Sequence, residues 1–172
     1  MRVKHFHTTW NGGLDPAAST FGGGRFFSLT IEDNTMFKHT ITARFDDIDY
    51  AGRVFYGRLF NYVHVAEEEW FESMGYPIPK LDEDLGVLFP IAHAEGNFTG
   101  PIEIGDNVAV RVGVASLGTK SLNVRAVADN VSNDYDAFEI EITRVCLSTG
   151  KEDETRPIPE EFRDELAAHR WA

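Results

Sequence analysis

The stretch that most constrains this chain is Ala43–Ile78, ARFDDIDYAGRVFYGRLFNYVHVAEEEWFESMGYPI. It joins the end of an alternating apolar/polar segment to an acidic loop, a Tyr-Ala-Gly turn and a long amphipathic pattern. Leu59, Val63, Ala66, Trp70 and Met74 recur at spacings of three and four, with Phe60 and Phe71 beside them. That spacing predicts a helix from about Tyr56 or Gly57 to Met74 with one apolar stripe. Gly75 and Pro77 stop it in the expected order. A stripe of that length has to be covered, so the question becomes what the rest of the chain lays against it.

The answer is strands. Phe37–Phe45 alternates and reads as a first strand. After a polar linker at Lys80–Asp84, four further runs follow: Val87–Phe98, Asn107–Leu117, Ser121–Asp129 and Ala137–Ser148. Val108, Val110, Val112 and Val114 alternate with Ala109, Arg111 and Gly113, the signature of a half-buried strand. Leu117-Gly118-Thr119-Lys120 is a hairpin turn and Asn130–Asp136 a second one. Pro159 followed by Glu160 and Glu161 opens a short C-terminal helix. One long helix among antiparallel strands predicts an α+β fold. Residues 36–172 make one domain on this reading. Residues 1–35, broken by Gly12-Gly13 and Gly22-Gly23-Gly24, are expected to be a flexible N-terminal extension, with an ordered arm as the alternative.

Charge and composition exclude several functions. A formal net charge of -12 over 172 residues argues against nucleic acid and anionic membranes as partners. No apolar run reaches spanning length and no signal-peptide pattern opens the chain, which leads to the expectation of a cytoplasmic protein. The single cysteine, Cys146, excludes an internal disulfide and reads as a buried inert thiol. His5 and His7 have the spacing of weak metal ligands, but no metal cluster, phosphate-binding glycine loop or serine nucleophile elbow is present, so no metal or cofactor is expected.

Three groups near the helix carry candidate chemistry. Gly52 lets the loop fold tightly and deliver the Asp49 carboxylate to the helix start. There the amides of Phe55, Tyr56 and Gly57 are unpaired donors at the positive end of the helix dipole. Such a pairing suits attack on a carbonyl whose developing oxyanion the amides hold. The alternative for Asp49 is a plain loop or capping carboxylate; Asp46 and Asp47 read as solvated or structural. Glu67 falls among Phe60, Val63, Trp70 and Phe71 on the apolar side, so it must be paired, protonated or at an interface. A salt bridge at a subunit contact is the favoured reading, with a reserve catalytic role behind it.

The pattern F-x-D-x-D-x-x-G-x-V-F-Y, followed by a helix with an acid shortly before Trp70, resembles the 4-hydroxybenzoyl-CoA thioesterase family. The family's D-x-A-G turn is here Asp49-Tyr50-Ala51-Gly52. Gly105-Asp106, Leu117–Ser121 and Ile158-Pro159-Glu160 extend the resemblance over residues 37–166. It implies a hotdog fold, an antiparallel sheet wrapped around one long central helix. It also implies hydrolysis of an acyl- or aryl-CoA thioester to free acid and CoA. Asp49 would act as nucleophile or general base, with the Tyr56 and Gly57 amides polarising the carbonyl. His64 matches a position that reaches the acyl group, with His93 a weaker candidate, and Glu67 matches the helix acid of other hotdog enzymes. For CoA phosphates Lys120 is the first candidate, with Arg53 and Arg144 behind it. Arg58 departs from the family, where many members carry Asn. Pairing into a homodimer or homotetramer, with the site at the subunit contact, is implied as well. The alternative function is a non-catalytic domain that binds acyl-CoA or an acyl carrier protein.

Overall fold

The computed structural model describes residues 36–150 and 154–171; the expected N-terminal extension at residues 1–35, with His5 and His7, lies outside the described residues. The elements, in chain order, are β1 (Phe37–Thr42), α1 (Tyr56–Ser73), α2 (Leu81–Leu85), β2 (Val87–Leu88), β3 (Ile91–Phe98), β4 (Asn107–Leu117), β5 (Ser121–Asn130), β6 (Tyr135–Val145), β7 (Leu147–Ser148) and α3 (Glu160–Ala168). Five strands form one antiparallel sheet in the order β1-β4-β5-β6-β3, and β2 pairs with β7 apart from it.

Alternation decides which face is covered. Val108, Val110, Val112 and Val114 of β4, Leu122, Val124, Ala126 and Ala128 of β5, and Phe138, Ile140 and Ile142 of β6 are all buried on one face. Against them lies the stripe of α1: Leu59, Tyr62, Val63, Ala66, Trp70 and Phe71. The opposite sheet face carries cross-strand ion pairs, Arg111 to Asp129 at 2.9 Å and Arg125 to Glu139 at 2.7 Å. The α+β expectation holds. Tyr62 joins the stripe in addition to the residues expected from spacing, while Met74 at the helix C-cap is only half-buried.

Two expected strands are divided. Pro90 has no N–H to donate to a ladder, and Val87–Phe98 breaks there into β2, which pairs with β7, and β3, which pairs with β6. The last run divides at Cys146, whose amide bonds the Lys120 carbonyl at 2.8 Å. The polar linker is partly helical: a 3-10 turn at Ile78–Lys80 leads into α2, which ends at Gly86 with φ of 64°. Beyond it, α3 seals one end of the core with Phe162, whose ring meets those of Tyr76, Phe71 and Phe89 at 4.7, 5.5 and 5.6 Å. The chain then runs beside β4 past the first residue of β1, Phe37, which pairs with Val112: Val114 donates to the His169 carbonyl at 2.8 Å and accepts from the Trp171 amide at 3.0 Å.

Every residue of β3 except Gly96 is exposed, although the strand is eight residues long. On its helix-facing side Ala94 and Gly96 stand opposite Ile142 and Ile140, so small residues leave that edge of the helix layer open.

Candidate active site

The loop between β1 and α1 is built around Asp47. Its Oδ2 accepts the Arg44 amide at 2.8 Å and the Tyr62 hydroxyl at 2.8 Å, while Arg58 Nε lies 3.5 Å from Oδ1. Burial, followed by the Asp47 hydrogen bond and charge, pushes the Tyr62 phenol well above its ordinary value. The Asp47 carbonyl also accepts the Phe55 amide at 2.8 Å, and Val54 bonds Ile102 at 2.9 Å. The loop and the start of α1 are therefore fastened together from both sides. Sequence reasoning allowed Asp47 a structural role but did not find its anchor, because Tyr62 lies fifteen residues away and is visible only on the helical wheel. Arg58 reaches the Asp46 carbonyl at 3.2 Å, so the residue that departs from the family pattern braces the same loop.

Above this anchor, Ile48 and Val54 form an antiparallel bridge and Asp49 sits in the turn between them. The Asp49 amide bonds the Arg53 carbonyl at 2.8 Å, and the Gly52 amide bonds the Asp49 carbonyl at 3.0 Å. Gly52 has φ of 77°, the left-handed region that favours glycine. The Ala51 amide donates to Asp49 Oδ1 at 2.8 Å. One carboxylate oxygen is thus held by the turn, and the exposed side chain presents the other to solvent.

Helix α1 starts at Tyr56 with Phe55 as N-cap and no side-chain cap. Intrahelical bonding leaves the first amides of a helix without partners, so Tyr56 and Gly57 offer donors where the Asp49 turn is attached. Gly57 also makes room: a Cβ there would stand 2.7 Å from the Phe55 ring. Around this end lies an exposed aromatic patch. Phe55 and Tyr56 have centroids 4.5 Å apart, and Phe98 of β3 lies 6.5 Å from Tyr56 and 6.3 Å from Phe60. Phe55, Tyr56 and Phe98 remain 45%, 60% and 47% exposed, an apolar surface that the described residues do not cover.

The other candidates fall elsewhere. His64 stands two turns further along α1, half-exposed, with Nε2 3.3 Å from Glu68. His93 on β3 pairs with Glu95 at 3.5 Å. Glu67 is fully buried, but its partner is in the same chain: Arg144 Nε and Nη2 donate to its two oxygens at 3.0 and 2.7 Å. The expected subunit-contact salt bridge is therefore a core pair, formed because α1 packs directly on the end of β6. Arg144, held at 6% exposure, is removed from the set of surface contacts for CoA. Lys120 lies in the β4–β5 turn, at the far end of β4 from Thr42, which pairs with Asn107. The strand between spans roughly 30 Å, and Lys120 Nζ bonds Thr155 Oγ1 at 3.1 Å. One chain does not bring Lys120 to Asp49. Arg53 is on the Asp49 loop itself, paired with Glu103.

Comparison with known proteins places the fold. The thioesterase-like superfamily model matches residues 43–166. The 1,4-dihydroxy-2-naphthoyl-CoA hydrolase of Synechococcus elongatus is 29% identical over 127 residues, covering 72% of this chain and 89% of that protein. Among solved structures, a 1,4-dihydroxy-2-naphthoyl-CoA thioesterase from Synechocystis superposes with a TM-score of 0.71 at 18% identity, over 77% of this chain and 96% of that one. A thioesterase superfamily protein from Jannaschia sp. CCS1 gives 0.73 at 22% identity, over 81% and 96%. The α+β arrangement described above is the hotdog fold.

Proposed function

The chain belongs to the thioesterase-like superfamily, and from that premise we propose that it hydrolyses an acyl- or aryl-CoA thioester to the free acid and CoA. The observation that carries the proposal is Asp49: a carboxylate with one oxygen fixed by the Ala51 amide and the other free, on a turn fastened to the start of α1. The thioester carbonyl would take the Tyr56 and Gly57 amides, which stabilise the oxyanion as it forms. Asp49 then acts in one of two ways. As general base it takes a proton from water, the hydroxide adds to the carbonyl carbon, and collapse of the tetrahedral intermediate expels the CoA sulfur, which receives the proton. As nucleophile it adds to the carbonyl and releases CoA thiolate, leaving a mixed anhydride that water opens. The aromatic patch of Tyr56, Phe60 and Phe98 gives the acyl group an apolar neighbour.

The same patch and the bare β3 edge support assembly with a second copy, which would cover the apolar surface beside Asp49. His64 would then face the acyl group, and any contact from Lys120 to CoA would come from another protomer. Glu67 takes no part in the chemistry on this reading.

The test is Asp49→Asn, assayed by thiol release over a panel of acyl-CoAs headed by 1,4-dihydroxy-2-naphthoyl-CoA, the thioester named for the relatives. Asn retains the oxygen that accepts the Ala51 amide, so the fold should persist. We expect kcat to fall by about two to four orders of magnitude, with KM moving less. Near-normal turnover in the folded variant would remove Asp49 from the mechanism. Absence of turnover by the unaltered protein on every thioester, with acyl-CoA still bound, would leave the non-catalytic binding domain as the function.

A further inference from the structure

A cavity lies at the other end of α1. Phe71, Ile78, Leu81, Leu88, Phe89 and Arg144 enclose a cavity of about 50 Å³. Phe71 is fifteen residues beyond Tyr56 in the same helix, about 22 Å along its axis, so within one chain this cavity is separate from the Asp49 turn. Five of its six walls are apolar. The sixth is a guanidinium with 6% exposure.

That guanidinium is incompletely used. Arg144 donates Nε and Nη2 to Glu67 and Nη1 to the Phe89 carbonyl at 2.8 Å. Arginine has five N–H donors, and these three bonds leave two without a protein acceptor among the described residues. A buried ion pair adds little stability over well-packed apolar side chains of the same volume. Uncommitted donors in an apolar cavity are instead the arrangement that orients a ligand. Glu67 already neutralises the charge, so an anion entering here would leave a net negative charge with little water to solvate it. At roughly 10–15 Å³ per water, the cavity has room for about four water-sized groups.

We propose that this cavity binds a small neutral group, apolar over most of its surface, whose one oxygen acceptor bonds the free N–H groups of Arg144. Thioester hydrolysis is not needed for this site to exist, and the inference stands or falls without it.

Butan-2-one has the required size and a single carbonyl oxygen; 2-methylbut-1-ene has the same shape and none. Both can be titrated into the full chain labelled at Ile and Leu methyls and followed by NMR. The expected result is that butan-2-one shifts the methyls of Ile78, Leu81 and Leu88 at millimolar concentration and binds about tenfold more tightly than the alkene, the effect of one hydrogen bond to a charged donor. Leu88→Trp, at the half-exposed mouth, should abolish these shifts. The double variant Glu67→Gln, Arg144→Met removes both charges together and should bring the two probes to equal affinity. Equal affinity in the unaltered protein, shifts confined to other methyls, or no shift at all, as for a cavity that holds water only, would each overturn the proposal.

Discussion

Asp47→Ala tests whether the Asp49 loop is held in the way the geometry implies. The substitution removes the acceptor of two hydrogen bonds, from the Arg44 amide and the Tyr62 hydroxyl, and the neighbour of Arg58. Arg44 is exposed, so water can replace its bond at a cost of about 1 kcal/mol. Tyr62 is 2% exposed, and a stranded buried hydroxyl costs about 1–3 kcal/mol. The Arg58 contact is half-exposed and contributes under about 1 kcal/mol. The sum is about 3 kcal/mol, a large part of the stability of a small domain. Tyr62→Phe alone should cost about 1.5 kcal/mol. In the double variant no hydroxyl is left stranded and only the Arg44 and Arg58 losses remain, so it should cost about 1.5 kcal/mol and fall short of the sum of the single variants by about 3 kcal/mol. Urea melts at fixed protein concentration measure all three. Turnover adds a second reading: a loosened Asp49 turn should lose roughly tenfold to a hundredfold in kcat in Asp47→Ala, and Tyr62→Phe much less. A cost below about 0.5 kcal/mol for Asp47→Ala, or strict additivity, would refute the anchor.

Three further outcomes follow from the same structure. Because the folded state raises the Tyr62 phenol above its unfolded value near pH 10, its contribution is fully present below that pH and is lost as pH rises through the folded value; an ultraviolet titration should show one tyrosine ionising only as the fold gives way, and Tyr62→Phe should delete that step. Glu67→Gln leaves the buried Arg144 charge uncompensated, so stability should fall by about 3 kcal/mol while kcat changes less than about tenfold; loss of turnover in a folded Glu67→Gln protein, with Asp49→Asn still active, would move the catalytic acid to the helix. The exposed β3 edge should pair with a second chain, and light scattering that shows a stable monomer at micromolar concentration would contradict this.

What could be read in the sequence was local. Spacing placed α1 within a residue of its ends, and the alternation of Val108 to Val114 placed the buried face of β4. The Asp49 turn was legible because a glycine with positive φ, an Asx hydrogen bond and a helix start are neighbours in the chain. What escaped depends on distance. Glu67 was seen to need a partner, but Arg144 is 77 residues away and its strand register cannot be read from either segment. Lys120 looked available until the direction of β4 put it at the opposite end of the sheet. Pro90 could have divided Val87–Phe98 in advance, since a residue without an amide proton rarely sits inside a ladder.

The strand order also bears on how the chain reaches this state. β4, β5 and β6 are consecutive and join through short turns, so their ladder closes small loops. The outer strands do not: Thr42 meets Asn107 only after α1 and β3 have been passed over, and Phe98 meets Phe138 across the whole β4–β5 hairpin. Contacts that distant in sequence form slowly. The central meander therefore makes a folding nucleus to which the edges are added late, and until β3 docks on β6 that open ladder is as available to a neighbouring chain as to its own.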